Sequence, residues 1–299
     1  MKTFSILLKR NIKLFFKDKG MFFTSLITPA ILLVLYVTFL GNVYKDSLTS
    51  AFPEGFTLPE KLINGIVAGE LVSSLLAVSC VTVAFCSNFL MVQDKVNGAI
   101  KDFLTSPVKA STLSLAYYFA NLITTLAICY IACGACLIYV AVSGWYLTVA
   151  DVFLLFLDVF LLVLFGNALS SVVNFFLSSQ GQISAVGTII SSGYGFICGA
   201  YMPLSSFAEG LRNVICCLPG TYGTSLIRNA VMKSSLLEMG SYGVSDGIIE
   251  SVRDSVDCNI YFFGTYVSEA ASYIILCGSI AVLLTGYILI NVFLGKRRR

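Results

Sequence analysis

The sequence predicts an all-α, polytopic membrane protein with six transmembrane helices, and three observations support this class. Hydrophobic residues make up 57% of the 299 residues and charged residues only 12%, against roughly 45 to 50% and about 25% in soluble domains. Several apolar runs reach 20 or more residues, which is enough to cross a hydrocarbon core about 30 Å thick. Since a backbone in lipid must satisfy its own hydrogen bonds, these runs are predicted to be helices.

The elements follow in order along a single transmembrane domain, residues 1–299. Six Lys and Arg alternate with apolar residues over 1–20, which predicts a basic amphipathic helix on the membrane surface. The next apolar run exceeds the length of a signal peptide core and no convincing cleavage site follows, so we interpret it as a retained first span. The predicted spans cover about 21–41, 62–92, 112–142, 151–177, 182–202 and 269–294. A polar patch containing Gly181 separates the fourth span from the fifth.

The distribution of charge predicts the orientation. Thirteen of the 19 Lys and Arg fall in the N-terminal helix, the loop 93–110 and the C-terminal end, whereas only Asp18, Asp94 and Asp102 of the 16 acidic residues do. The positive-inside rule counts Lys and Arg, and it places both termini in the cytoplasm.

The segment 203–268 is then external. Apolar residues at spacings of three and four over 204–218 predict an amphipathic helix, which Pro219 ends before a second semi-apolar stretch. A re-entrant helical hairpin in the outer leaflet explains this order, and an ordinary pair of surface helices is the alternative. A further helix is predicted over 245–256. Its Glu250 and Arg253, together with Asp257, predict a solvated, salt-bridged face rather than a site.

The ten cysteines fall into two groups. Seven lie in apolar runs, where a thiol behaves as a small hydrophobe. Cys129, Cys133 and Cys136 have a spacing that can ligate an iron-sulfur cluster, but they share one wholly apolar helix, which favours packing and predicts no metal site. The cysteines in polar external sequence are Cys216, Cys217 and Cys258. An oxidising exterior would permit a disulfide among these three; the alternative is that Cys216 and Cys217 are packed thiols and Cys258 is unpaired.

Catalytic chemistry is not predicted. The chain has no His, which removes the usual general base and the usual metal ligand. No Gly-rich phosphate loop followed by Lys and Ser or Thr is present, so the chain is not expected to hydrolyse ATP or to hold a cofactor itself. No catalytic residue and no nucleic-acid partner is predicted, and any energy from nucleotide would come through a cytoplasmic partner.

Two carboxylates and a stripe of small residues are the candidates within the spans. An intramembrane carboxylate is a functional candidate, so Glu70 is predicted to contact substrate or a gate, and Asp158 to bond to neighbouring helices. In a secondary transporter or channel, the competing class, both would be coupling groups. Small residues recur along the fifth span at Ser184, Gly187, Ser191, Gly195 and Gly199. They indicate close helix packing, a dimer seam or a smooth slit.

The loop 93–110 carries the clearest motif. It has an acidic residue, a Gly, a short amphipathic stretch and a Thr-x-Pro turn, at Asp94, Gly98, Ile100, Phe103, Leu104, Thr105 and Pro107. In this order it resembles the ABC-transporter permeases of the second export class, the ABC-2 type. The apolar side chains would form a ridge that fits a groove on an ATPase subunit, and the Pro would end the helix. A solvated loop between two helices is the alternative.

Two other regions resemble the same family. The N-terminal segment resembles its elbow helix, charged pair and Pro in the first span through Leu8, Arg10, Asn11, Lys13, Lys17, Asp18, Lys19, Thr28, Pro29 and Ala30. The external segment resembles its hairpin through Gly199, Pro203, Leu204, Ser206, Phe207, Leu211, Leu218, Pro219, Tyr222 and Arg228. The stretch 234–268 is longer than in the shortest members.

The resemblance implies a permease dimer, of identical or similar chains, bound to two ATP-binding subunits that hold ATP and Mg²⁺. It implies export of an amphiphilic substrate by alternating access, through a slit lined by the second and fifth spans of both copies. The path residues would be Glu70, Ser191, Gly195 and Gly199. The chain would lie among the lipids of a plasma membrane, the inner membrane of a bacterium.

Overall fold

The protein is a bundle of long helices with one small β-hairpin, as seen in a computed structural model that describes residues 2–50, 58–106 and 108–297. The helices are α1 Lys2–Lys17, α2 Lys19–Leu35, α3 Gly41–Ser50, α4 Glu60–Val96, α5 Ala99–Thr105, α6 Ala110–Ser143, α7 Val149–Phe176, α8 Gln180–Ile197, α9 Glu209–Cys216, α10 Pro219–Ser241, α11 Asp246–Ser255 and α12 Glu269–Arg297. A π-helical turn, Tyr36–Leu40, joins α2 to α3, and a 3-10 turn, Leu204–Ser206, precedes α9. The strands are β1 Ile260–Phe262 and β2 Thr265–Val267.

Five helical segments of the described chain are long and apolar enough to cross a membrane, which confirms an all-α polytopic membrane protein. They are Ser25–Asp46, Glu60–Val96, Ser111–Ser143, Val149–Phe176 and Glu269–Asn291. The predicted fifth span, 182–202, corresponds to α8 and the turn after it. The 18 residues of α8 extend only about 27 Å, slightly less than the hydrocarbon core, so a sixth span stays a prediction.

Helix α4 is the centre of the bundle. It packs against α2, α6, α7, α8 and α10, and its apolar segment is buried along its whole length. Its sequence is apolar on every side, as expected of a helix surrounded by other helices. The cysteines predicted to pack, Cys129, Cys133 and Cys136, are buried in the same core as Cys80 of α4. The packing interpretation of these thiols is therefore confirmed.

Local sequence signals fix several helix starts. Thr148 and Asp151 form a reciprocal capping box at the start of α7, and Ser179 and Gln182 form another at the start of α8. The predicted break between the fourth and fifth spans is thus confirmed, although a capping box rather than Gly181 accounts for it. Pro219 occupies the first turn of α10, where its missing N–H costs no hydrogen bond.

The predicted amphipathic helix over 204–218 is wrong in its first part. The backbone N–H of Leu204 donates to both carboxylate oxygens of Asp257, at 2.8 and 3.1 Å, which holds the chain in a 3-10 turn. Phe207 is extended and Ala208 is not helical, so a regular helix begins only at Glu209. A distant carboxylate therefore overrides the local periodicity.

The β-hairpin was not predicted. Ile260 pairs with Val267 and Tyr261 with Tyr266 in antiparallel register. The two turn residues, Phe263 and Gly264, both have positive φ, at 48° and 81°, which matches a type I′ hairpin turn. Asn or Asp usually occupies the first of these positions, so Phe-Gly gave no hairpin signal.

The start of α4 depends on a close backbone approach between two glycines. A Cβ added to Gly65 would lie 2.9 Å from the carbonyl oxygen of Gly144, which follows α6. We expect Gly65→Val to lower the free energy of unfolding by about 1 to 3 kcal/mol, because backbone atoms cannot move aside as a side chain can. Gly134→Val on α6 is the control, since a Cβ there meets nothing within 4 Å. Equal melting temperatures of the two purified variants would contradict this packing.

Candidate functional site

A charged cluster ties α1, α4 and α6 together at the end of the bundle that carries α5, here called the α5 end. Arg10 of α1 donates to Asp94 of α4 through both terminal nitrogens, at 2.7 and 3.2 Å. The hydroxyl of Tyr117 on α6 donates to the same carboxylate. Asp94 is buried and Arg10 is half-buried. A bidentate pair of this kind fixes the angle between helices as well as their distance.

Helix α5, the predicted coupling helix, is attached to this cluster. The Arg10 guanidinium lies 5.0 Å from the ring centre of Phe103, a cation–π geometry. Phe103 is half-buried and packs against a small core that joins α1, α4 and α6. Part of its apolar surface is therefore used within the chain, and the rest is available to a partner.

The other predicted coupling residues lie before and after Phe103 along the chain. Gly98 has φ of +80° in the turn from α4 to α5, a conformation that favours glycine. Ile100 is half-buried. Leu104 lies on α5, and Pro107 falls outside the described residues. Their role toward an ATPase subunit stays a prediction.

Lys95 links the same end of α4 to α7. Its ammonium donates to the backbone oxygens of Asn174, Phe175 and Leu177, at 2.7 to 3.2 Å. The Asn174 oxygen also accepts from the Leu177 N–H at 3.3 Å, and a cation at the C-terminal end of a helix interacts favourably with the helix dipole. Neighbouring residues Asp94 and Lys95 thus hold α4 to helices on two of its sides.

A groove of about 1070 Å³ runs between α2, α4 and α8. Aliphatic and aromatic side chains line most of it, and α8 contributes a row of small and hydroxyl side chains. That row consists of Ser184, Gly187, Thr188, Ser191 and Ser192. The polar residues Asp18, Gln93 and Gln180 contact it at the α5 end. A cavity of this size and lining suits an elongated, mostly apolar molecule with a polar group.

The predicted path residues separate in the structure. Among the described residues, Ser191 lines the groove, whereas Glu70, Gly195 and Gly199 do not. A Cβ on Gly195 would collide with the ring of Tyr201, so this glycine serves a close contact within the chain. Gly199 has φ of +72° just after α8.

Glu70 belongs instead to a buried charged cluster centred on Arg228 of α10. An Arg228 terminal nitrogen lies 2.9 Å from a Glu70 carboxylate oxygen, and another lies 3.2 Å from Asp257. The guanidinium also donates to the Ser74 hydroxyl at 3.1 Å and to the Gly199 carbonyl at 2.8 Å. The cluster therefore joins α4, the turn after α8, α10 and the chain beyond α11.

The position of Asp257 corrects the predicted solvated face. Glu250 and Arg253 do form a partly exposed pair, at 3.8 Å, but Asp257 is buried against Arg228. The reason is that α11 ends at Ser255, and Asp257 has φ of 53°, so helical spacing does not apply to it. Burial raises the pKa of Asp257 to about 6, and the nearby Arg228 opposes this rise.

Asp158 contacts a neighbouring helix as expected. The hydroxyl of Tyr273 on α12 donates to it at 2.7 Å. This bond holds α12 against α7, which fits a structural role for the carboxylate.

The segment 203–268, here called the lobe, contains the remaining predicted residues. Pro203 precedes the 3-10 turn and Phe207 packs on a small core that includes Tyr222. The Tyr222 hydroxyl donates to the Cys216 carbonyl at 2.7 Å. The structure holds Cys216, Cys217 and Cys258 as free thiols, with only Cys217 exposed. The packed-thiol alternative holds for Cys216 but not for Cys217, since Cys258 is buried in its place, and the disulfide stays a prediction.

Sequence reasoning missed that Glu70, Arg228 and Asp257 form one site. Each was singled out, but they stand far apart along the chain and in three different predicted elements. A signal was present, since an isolated charge in apolar sequence needs an opposite charge nearby.

Comparison with known protein families gives a match over most of the chain. The sequence profile of the ABC-2 type transporter family matches residues 2–232, which is about three quarters of the chain. A search of curated proteins finds no match. The matched region includes the α5 end, the groove between α2, α4 and α8, and the first half of α10. The chain therefore belongs to the ABC-2 type transporter family, and it is a membrane-spanning component of an ABC transporter.

Proposed function

We propose that the chain is the permease subunit of an ABC exporter, which moves an amphiphilic substrate outward by alternating access. The observation that carries this is the continuous link from α5 to the groove. Phe103 of α5 contacts Arg10, Arg10 binds Asp94 of α4, and α4 lines the groove. A force applied to α5 therefore passes to a groove-lining helix through packed and charge-paired contacts.

The energy would come from a separate ATP-binding subunit that docks on α5 and holds ATP and Mg²⁺. A second permease copy, identical or similar, would close the groove, since the exposed small residues of α8 permit close approach of another helix. Six spans with both termini in the cytoplasm of a bacterial cell complete the proposed arrangement.

The lobe fits a re-entrant helical hairpin in the outer leaflet. Gly223 of α10 faces Leu162 of α7, and the Ser234 hydroxyl donates to Asp151. Since Leu162 lies thirteen residues beyond Val149, α10 accompanies about the outer 20 Å of α7. Its buried face includes Arg228, whose charge is matched by two carboxylates.

Co-purification tests the proposal against a secondary transporter or channel. We expect the chain, isolated from its native membrane in mild detergent, to carry an ATP-binding subunit whose ATPase activity depends on the permease. Asp158→Asn serves as the second arm, because it removes a carboxylate that an ion-coupled carrier would use. An isolated chain that transports without any ATPase, and loses transport in Asp158→Asn, would overturn the exporter assignment.

A further inference from the structure

The β-hairpin of the lobe exposes aromatic side chains with no charge among them. Tyr261, Phe262, Phe263 and Tyr266 are all exposed, and Phe263 at the tip is 65% exposed. Residues 260–267 contain no charged side chain. Contact between such an aromatic cluster and water is unfavourable. Exposed apolar patches of this kind commonly mark an interaction site.

The backbone of Phe263 strengthens this argument. Its φ of 48° lies in the left-handed region, which costs energy for a bulky residue and is usually occupied by Asn, Asp or Gly in such turns. Strain of this kind persists where the side chain has a function at that position. The sequence thus keeps an aromatic ring at a turn position that disfavours it.

The hairpin has a polar side and an apolar side. Tyr261 and Tyr266 pair across the strands, with ring centres 5.9 Å apart, and the Tyr261 hydroxyl donates to Asp254 at 3.0 Å. Phe262 and Phe263 stack edge to face at the tip, 4.8 Å apart. Tyr with a polar contact beside apolar rings is typical of the membrane–water interface.

The level of the hairpin matches that interface. Tyr273 of α12 bonds to Asp158, which lies nine residues, or about 14 Å, beyond the start of α7. Glu269, the first residue of α12, lies four residues before Tyr273 and is therefore about 6 Å nearer the lobe end of the bundle than Tyr273. It lies about 8 Å from the level of Val149, measured along α7 toward the membrane centre. Helix α7 has 28 residues, so it is about 12 Å longer than a hydrocarbon core of about 30 Å. A core centred on α7 therefore begins about 6 Å from Val149 toward the membrane centre. The start of α12, and with it the hairpin, lies close to this boundary.

The hairpin is also continuous with the lipid-facing surface of α12. Strand β2 ends at Val267, two residues before α12 begins. Val267 and Ile275 of α12 pack on the same small core, so the hairpin is fixed to the first turns of that helix. Ile274, the neighbour of Ile275, is 72% exposed.

We propose that the tip of the β-hairpin inserts into the bilayer interface at the lobe end, with Phe262 and Phe263 among the lipid acyl chains and the tyrosines at headgroup level. The lobe is then anchored to the lipid beside α12. This inference rests on the membrane-spanning character of the chain and is independent of the direction or energy source of transport.

Tryptophan quenching tests the insertion directly. The single native Trp145 is replaced by Phe, and Phe263→Trp or Ser251→Trp is added, the latter at an exposed position of α11 in the same lobe. Each protein is placed in phosphatidylcholine nanodiscs whose acyl chains carry bromine near the headgroup. We expect these lipids to quench Trp at 263 about threefold more than Trp at 251, and aqueous iodide to show the reverse order, as for an interfacial residue.

Two results would overturn the proposal. Iodide quenching of both positions, with no effect of brominated lipid, would place the tip in water. Protection of position 263 from both quenchers would place it against protein, such as a second copy of the chain. Tyr266→Trp repeats the measurement at headgroup level if the Phe263 variant is unstable, and it should respond to both quenchers.

Discussion

Replacing Arg228 by Met should lower the free energy of unfolding by about 3 to 5 kcal/mol, the largest stability effect expected of a single substitution here. The substitution leaves Glu70 and Asp257 as two buried carboxylates without a counter-charge. It also removes the donor to the Gly199 carbonyl. Thermal unfolding of the detergent-purified protein, followed by size-exclusion chromatography, measures the loss.

Arg253→Met is the matched control for this prediction. Arg253 lies in the same lobe, but it faces a single carboxylate, Glu250, at 3.8 Å, and donates one hydrogen bond, to the Asn229 amide oxygen at 3.1 Å. Its loss should therefore cost only about 1 to 2 kcal/mol. A triple variant that adds Glu70→Gln and Asp257→Asn to Arg228→Met should recover part of the stability, because the uncompensated charges are gone. Equal melting temperatures of the Arg228→Met and Arg253→Met variants would contradict the ion-pair account.

Phe103→Asp should abolish coupling while the chain still inserts into the membrane. The new carboxylate would stand near the Arg10 guanidinium, compete with Asp94 for it, and lose water when an ATPase subunit docks on α5. Even about 1.4 kcal/mol of docking energy is a tenfold change in affinity, so we expect transport to fall more than about tenfold. ATP-driven transport in vesicles and the amount of bound ATPase subunit are the two readouts.

Asp102→Asn controls for a change at α5 that leaves the apolar contact intact. Asp102 is exposed on the same helix, so assembly and transport should stay close to those of the unmodified protein. Leu104→Asp should behave as Phe103→Asp does if both side chains contact the partner. Normal assembly and transport in both Asp variants would rule out α5 as the docking element.

The sequence predicts the elements whose signals are local. The length of the apolar runs identifies α4, α6, α7 and α12. The polar patch at the start of α8 contains the capping residues Ser179 and Gln182. The predicted helix 245–256 is found as α11. In each case the cause lies within a few residues, so the pattern is readable without knowledge of the fold.

The missed features depend on contacts between distant segments. Asp257 is buried where both Arg228 and the Leu204 N–H contact its carboxylate. The hydrogen bond from Leu204 to Asp257 also prevents a helix over 204–208. The β-hairpin was missed because Phe263 occupies a position where turn preferences favour Asn or Asp. The partner of Glu70 was missed since Arg228 stands 158 residues later in the sequence.

Helix α4 contributes a carboxylate to both charged clusters, and the two clusters lie far apart along this one helix. Glu70 and Asp94 are 24 residues apart on one uninterrupted helix, a distance of about 36 Å. A tilt of only about 5° around the midpoint would displace each carboxylate by about 1.6 Å, comparable to helix shifts in known switching proteins. A hydrogen bond of ordinary length does not survive such a displacement. The ion pairs and hydrogen bonds of the two clusters therefore hold α4 at its observed tilt. Both sets of contacts must exchange partners if α4 is to tilt relative to its neighbours.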